Sequence, residues 1–506
     1  MRKRAYVPQV LLLLAFCATV RAQGTNPCAV APTGSESWVG ISANKVACTL
    51  PQLYGGEGLA IPLPPLSDGG PVIQNPITGN GFTGAQAQQN AESASINSNV
   101  AGQIALLPLV APASGITLTL DTSLGIYTVA QLSFGPIFSE RATMIGARHL
   151  ALGVSYQHLS FNSLGGINLR SFPTTFTQEP FNAYSSGDTN CPSDLEEEGL
   201  LECRKAHDYV AATNRIDVTL QQLTSFVTFG LTRRVDISVA IPYVQSKMSA
   251  TANATIVENS GSYGSTTFDG CYGNYGDTSC GLQETFFNTH SAAGLGDVDV
   301  RAKGTIMRWE HSGLAAGVNV RTPTGDAINF LGSGAWGVRP FAVWSYEGRI
   351  SPHVNVGYEW NGQSILGGDV TSGQSASLPS QFIYSLGGEG MISRRFTATL
   401  DLLGQRVFNA PIDSLVSITV PSPCNPAVQP TSPAEPTSVD ACLPVGSPST
   451  TVGISTGSYG INNADIGVRV RPFGRLLITA SVLMKLDNGG LRSTAIPMAA
   501  ATYEIR

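Results

Sequence analysis

At 506 residues, the chain could hold two or three soluble domains or one large barrel, and its formal net charge of −6 lacks the basic balance that a nucleic-acid partner favours. Charged residues make up only 13%, about half the usual share of a soluble globular protein, while glycine reaches 55. That balance argues against a fully hydrated surface and suits one facing lipid.

The N-terminus predicts export. Arg2, Lys3 and Arg4 form a basic start, Val10 to Val20 an apolar run, and Val20-Arg21-Ala22 a small-residue cleavage site, so residues 1–22 read as a signal peptide. The apolar run is roughly half the ~20 residues that a spanning helix needs. Eight cysteines remain after it, and in an exported chain their even count reads as disulfides, with the nearest neighbours as the simplest pairing. Those pairs are Cys28 with Cys48, Cys191 with Cys203, Cys271 with Cys280, and Cys424 with Cys442. None has zinc-site spacing, and neither a metal nor another cofactor is expected.

Residues 23–124 form an irregular region rich in Pro, Gly, Asn and Gln, with a short Ala- and Gln-rich helix expected near 85–104. Residues 125–148 contain Phe134-Gly-Pro-Ile-Phe-Ser-Glu-Arg-Ala142. Gly135-Pro136 breaks a strand, and the adjacent Glu140 and Arg141 would be costly in lipid. This segment either folds inward as a plug, with Glu140 and Arg141 among interior charges, or supplies two further strands.

From 149 to 506 the dominant signal is alternation. Val298, Val300 and Ala302 oppose Asp297, Asp299, Arg301 and Lys303; Val354, Val356, Tyr358 and Trp360 oppose His353, Asn355, Glu359 and Asn361. Further on, Leu400 and Leu402 oppose Thr399, Asp401 and Gln405, while Ile466, Val468 and Val470 oppose Asp465, Arg469 and Arg471. Successive side chains of a strand point to opposite faces, so each segment is apolar on one side and ionic on the other. Twelve such strands are expected, within a range of ten to fourteen: about 149–162, 213–230, 235–249, 294–307, 313–322, 337–347, 352–362, 380–391, 395–405, 458–471, 475–486 and 496–505. Short connections alternate with long ones, the pattern of an all-β, transmembrane antiparallel barrel with periplasmic turns and outer loops. The last residue, Arg506, departs from the aromatic end that the barrel assembly machinery often reads.

Four stretches carry a resemblance: Phe134-Gly-Pro-Ile-Phe-Ser-Glu-Arg141, Phe229-Gly-Leu-Thr-Arg-Arg-Val-Asp-Ile-Ser-Val-Ala-Ile-Pro242, Gly294-Leu-Gly-Asp-Val-Asp-Val-Arg-Ala-Lys303 and Val320-Arg-Thr-Pro-Thr-Gly-Asp326. Together they resemble the outer-membrane channels associated with meta-pathway phenol degradation, a group loosely related to the long-chain fatty acid and aromatic-hydrocarbon transporters. The resemblance implies a bacterial outer-membrane barrel that passes small, often hydrophobic or aromatic solutes, and it supplies no defined binding residues.

Charge and width of the lumen do the work of a passive channel. The inward candidates are Asp297, Asp299, Arg301, Lys303, Arg321, Glu359, Asp401, Arg469 and Arg471. They either touch solute or pair with one another across strands and hydrate the interior. No nucleophile elbow, zinc helix or phosphate loop is present, so no enzyme is expected. The competing function is a surface adhesin, with the barrel as anchor and the stapled loops as its binding face. Expected partners are outer-membrane lipid, a small solute and the assembly machinery. Oligomeric state is unreadable from the sequence.

Overall fold

The computed structural model describes residues 27–28, 44–54, 59, 83–105, 118–121, 126–129, 139–177, 209–257, 268, 281–420 and 447–505. The expected signal peptide and Cys191, Cys203, Cys271, Cys280, Cys424 and Cys442, with the three pairings expected of them, lie outside the described residues.

Twelve strands close into one barrel. They are β1 (Leu150–Leu164), β2 (Tyr209–Gly230), β3 (Val235–Val257), β4 (Asp299–Arg308), β5 (Ser312–Arg321), β6 (Gly337–Tyr346), β7 (Ile350–Asn361), β8 (Ser380–Ser393), β9 (Phe396–Val420), β10 (Ser447–Val470), β11 (Leu476–Lys485) and β12 (Ala495–Ile505). Neighbours in sequence pair antiparallel all the way round, and β12 returns to β1, with Tyr503 opposite Leu152 and Leu152 opposite Val227. Closure leaves no edge on which backbone groups would meet hydrocarbon unpaired.

The alternation sorts the two faces. Leu400 is 59% exposed and Ile466 53%, while their neighbours Asp401 and Asp465 are 1% and 0% exposed. The apolar stripe therefore faces out and the ionic stripe faces in. A closed barrel with that exterior is a transmembrane protein of the bacterial outer membrane. Trp309 and Tyr346 stand on the outside near the short turns, with Trp336 and Trp360 at the opposite end, so exposed aromatics mark both rims. Among the described residues no helix is long and apolar enough to cross a membrane, which says nothing of crossing by strands.

Several strands run further than alternation predicts. β2 and β3 extend upward to Tyr209 and Val257, and β9 and β10 to Val420 and Ser447. A further strand, Gln283–Leu295, pairs with β3 inside a stretch expected to be loop. Above the bilayer neither face meets lipid, so the apolar stripe that reveals a strand in sequence fades there. The described parts of 125–148 add no strand to the wall: Ile126–Val129 pairs with Leu118–Asp121 in a separate two-stranded sheet, and residues 139–148 form no strand.

The expected helix forms as α1 (Thr83–Ala105). Ile96, Val100, Ala101 and Ile104 are buried along one side, but Ser93, Ser95, Asn97 and Asn99 are buried too. A helix buried on its polar side as well must be enclosed by polar walls, and α1 is: it packs against the 172–177 and 363–369 strands and the upper parts of β9 and β10. Residues 44–54 sit beside it, tied to residue 28 by the Cys28–Cys48 disulfide.

Candidate functional site

The interior has two occupants from the N-terminal half. Residues 139–148 enter at the periplasmic end, where the Arg148 amide donates to the Gly230 carbonyl at 2.7 Å. From there the segment reaches wall residues on several strands: Asp236 of β3 accepts from the Ile145 amide at 2.9 Å, Ser345 of β6 from the Ala142 amide at 3.0 Å, and Ser385 of β8 from the Ser139 hydroxyl at 2.9 Å.

Glu140 and Arg141 do not pair with each other. The Glu140 carboxylate bonds the Arg301 guanidinium and has the Lys303 ammonium at 3.1 Å, both on β4. Arg141 turns the other way, and its Nε donates to Glu389 of β8 at 2.6 Å. Two adjacent, opposite charges thus brace the segment between two parts of the wall. Lys303 also donates to the Arg141 carbonyl at 3.1 Å.

Behind Glu389 lies a second ionic group. His353 of β7 sits between two carboxylates, with Nδ1 3.0 Å from Glu389 and Nε2 2.7 Å from Asp401 of β9. Arg469 of β10 is buried nearby. Such a group holds one geometry only while every charge in it is answered.

The third group lies towards the outer end. Arg321 donates to Glu359 at 2.6 Å, to Asn361 at 2.6 Å, to the Ser333 hydroxyl at 3.1 Å and to the Ala105 carbonyl at 2.8 Å. A cation on the last carbonyl of α1 answers the negative end of the helix. Asp297, 3.7 Å from Arg321, accepts from the Gly325 amide at 3.0 Å and the Ser333 amide at 2.7 Å, fastening the 322–336 connection over the wall. Asp299 accepts from Asn319 at 2.8 Å.

The inward candidates of the sequence are therefore spread over distinct places. Arg301, Lys303, Asp401 and Arg469 lie in the two groups around residues 139–148, whereas Asp297, Arg321 and Glu359 hold the outer end. Arg471 lies past the end of β10, where its guanidinium donates to the Arg394 carbonyl of the next turn at 3.2 Å. Alternation runs out at that turn, so its side chain stands at the mouth and not along the wall.

Residues missed by the sequence reading include Glu389 and Arg339. Glu389 stands in Gly387-Gly388-Glu389-Gly390, where glycines carry no polarity to alternate. Arg339 has the right parity on β6, the same signal that picked out Glu359.

Residues 44–54 and α1 form an outer module fixed by side-chain bonds. The Ser95 hydroxyl donates to both carboxylate oxygens of Asp413 at 2.8 Å, Tyr459 donates to Asn99 at 2.8 Å, and Thr174 to Glu92 at 2.8 Å. Tyr54 donates to Asn214 at 3.1 Å, and burial pushes its hydroxyl well above the usual phenol range, with Glu92 adding to the rise. Between this module and residues 139–148 remains a cavity of about 150 Å³.

No protein-family model matches the sequence, and no curated protein matches it. Among solved structures, an outer-membrane channel from Pseudomonas putida aligns at 10% identity over 72% of this chain and 99% of its own, with a TM-score of 0.38. A Pseudomonas aeruginosa FadL homologue aligns at 10% identity over 78% and 94%, TM-score 0.26. The translocator domain of the autotransporter NalP from Neisseria meningitidis aligns at 8% identity over 71% and 89%, TM-score 0.23. Neither identity nor superposition is high enough to carry a function from those proteins to this chain.

Proposed function

We propose that the barrel is a passive outer-membrane channel for small, hydrophobic or aromatic solutes, held closed at rest by residues 139–148 and by the module built from residues 44–54 and α1. One observation carries this reading: the wall leaves room inside, and what fills that room is chain from the N-terminal half, attached by discrete ion pairs and hydrogen bonds. A barrel serving only as an anchor could fill its interior with wall side chains. Here the filling is chain that forms no strand of the closed sheet and is held to it through side chains.

The apolar part of the cavity wall supports the solute class, because a lumen lined only by charge would favour polar solutes. The test is uptake. Cells lacking the protein should accumulate labelled phenol or benzoate at low external concentration more slowly than cells carrying it, with sugar uptake unchanged. Equal rates for every aromatic and aliphatic solute tried would contradict the proposal.

A further inference from the structure

The cavity between the outer module and residues 139–148 has two unlike ends. Arg301 and Arg339 stand at one, with Glu140; Leu159, Phe161, Leu403, Leu483 and Ile496 make up most of the other, where Arg492 also lines the wall but is engaged by the Asn462 carbonyl and Asn463 at 2.7 and 2.8 Å. At about 150 Å³ it is of the size that admits a benzene ring into a protein interior.

The polar end is built by register. Asn319 on β5 pairs with Arg301 on one side and with Arg339 on the other, so the two arginines occupy one level of the wall, their Cα atoms ~10 Å apart across two strand spacings. Both side chains line the cavity. Glu140 takes the Arg301 terminal nitrogen, but Arg301 Nε is buried with no hydrogen-bond partner among the described residues. Arg339 has Glu359 at 3.6 Å, too far for a close hydrogen bond, and its side chain is 20% exposed towards the cavity. The Glu359 oxygen nearer to Arg321 is already taken at 2.6 Å. Two partly exposed guanidinium side chains, Arg301 at 13% and Arg339 at 20%, thus line the same space.

Between the ends lies Phe341, its ring over Gly317 and 5.6 Å from the Arg301 guanidinium. A Cβ at Gly317 would stand 2.5 Å from the ring and from the Ala302 carbonyl oxygen, so only glycine lets the ring lie against the wall there. On the far side the Gln405 side chain also lines the cavity.

We infer that this cavity is a binding site for a single-ring aromatic carboxylate, with the carboxylate between Arg301 and Arg339 and the ring against Phe341 and the leucine wall. Planar guanidinium groups match a carboxylate geometrically, and such charge-assisted bonds strengthen away from bulk water. The inference deepens the channel reading and rests on it for the route by which solute arrives.

The test is a ligand-detected NMR titration of the full-length protein in detergent with benzoate, benzamide and benzyl alcohol. Benzoate should bind saturably and about tenfold more tightly than either neutral ring, the margin that one charge-assisted hydrogen bond supplies. Arg339→Gln should erase that margin, and Arg339→Lys should restore part of it. Equal affinity for benzoate and benzamide in the wild-type protein would overturn the inference without need of any variant, and so would an unchanged margin in folded Arg339→Gln. Should that variant fail to fold, Leu403→Trp, which fills the apolar end and leaves the arginines alone, should abolish benzoate binding; retained binding would equally overturn it. Saturable benzoate binding without uptake would sink the channel reading and keep the site, whereas uptake without a benzoate preference would do the reverse.

Discussion

Arg141 and Glu389 form the most enclosed contact between the inward segment and the wall, with side chains 2% and 0% exposed. Removing one partner of a buried pair leaves the other charge unanswered, a loss of about 3–5 kcal/mol, whereas losing both is far milder. Arg141→Gln and Glu389→Gln should therefore each lower the denaturant midpoint of the folded barrel, and the double variant should lose less than the two single losses combined. Strict additivity in that cycle would mean that the pair does not couple segment to wall. The inward parity of Asp401, Arg469 and Glu359 was legible in the sequence, because each sits in an unbroken run of alternation. Their partners were not. Which carboxylate meets which cation depends on the register between strands far apart in the chain, and on residues 139–148 entering the lumen, neither of which leaves a local trace.

At the scale of elements, α1 is the piece whose attachment can respond to conditions. Its Ser95 bonds Asp413, which lies on the part of β9 rising above the last β8 pairing at Phe408, clear of the membrane wall. Burial pushes the Asp413 carboxyl up to about 6, the Ser95 hydroxyl offsetting part of the rise. A carboxyl raised on docking stabilises the docked state fully below its ordinary range near 4, and that contribution is lost as pH climbs through about 6. Amides of residues 93–104 should consequently be better protected from exchange, after correction for intrinsic rate, at pH 5 than at pH 7.5. Asp413→Asn should hold the protected state at both. Protection that rises with pH would contradict this sign. The helix itself was readable from its Ala- and Gln-rich run, but its enclosure was not: buried Ser93, Asn97 and Asn99 look in sequence like a solvated face. The upper reaches of β9 and β10 escaped for a related reason, since Ser, Thr and Gly there show no apolar stripe.

The whole molecule follows from one division of labour. The outer stripe meets lipid, where a charge near the midplane would cost about 2–4 kcal/mol, and the inner stripe meets charge, backbone and a small cavity. Strand number and closure were legible because lipid enforces strict alternation over the full height of the wall. The filling was only partly so, since Gly135-Pro136 and Glu140-Arg141 weighed against a lipid-facing strand but left both a plug and two further strands open, and did not fix what the segment would touch. If the filling is a gate, loosening it must open a path for ions while the wall stays intact. Current through planar bilayers holding the wild-type protein or the Glu140→Gln/Arg141→Gln variant tests that most directly. The account predicts brief, rare openings for the wild type and a severalfold larger steady current for the variant; no current from either protein, or identical current from both, would contradict it.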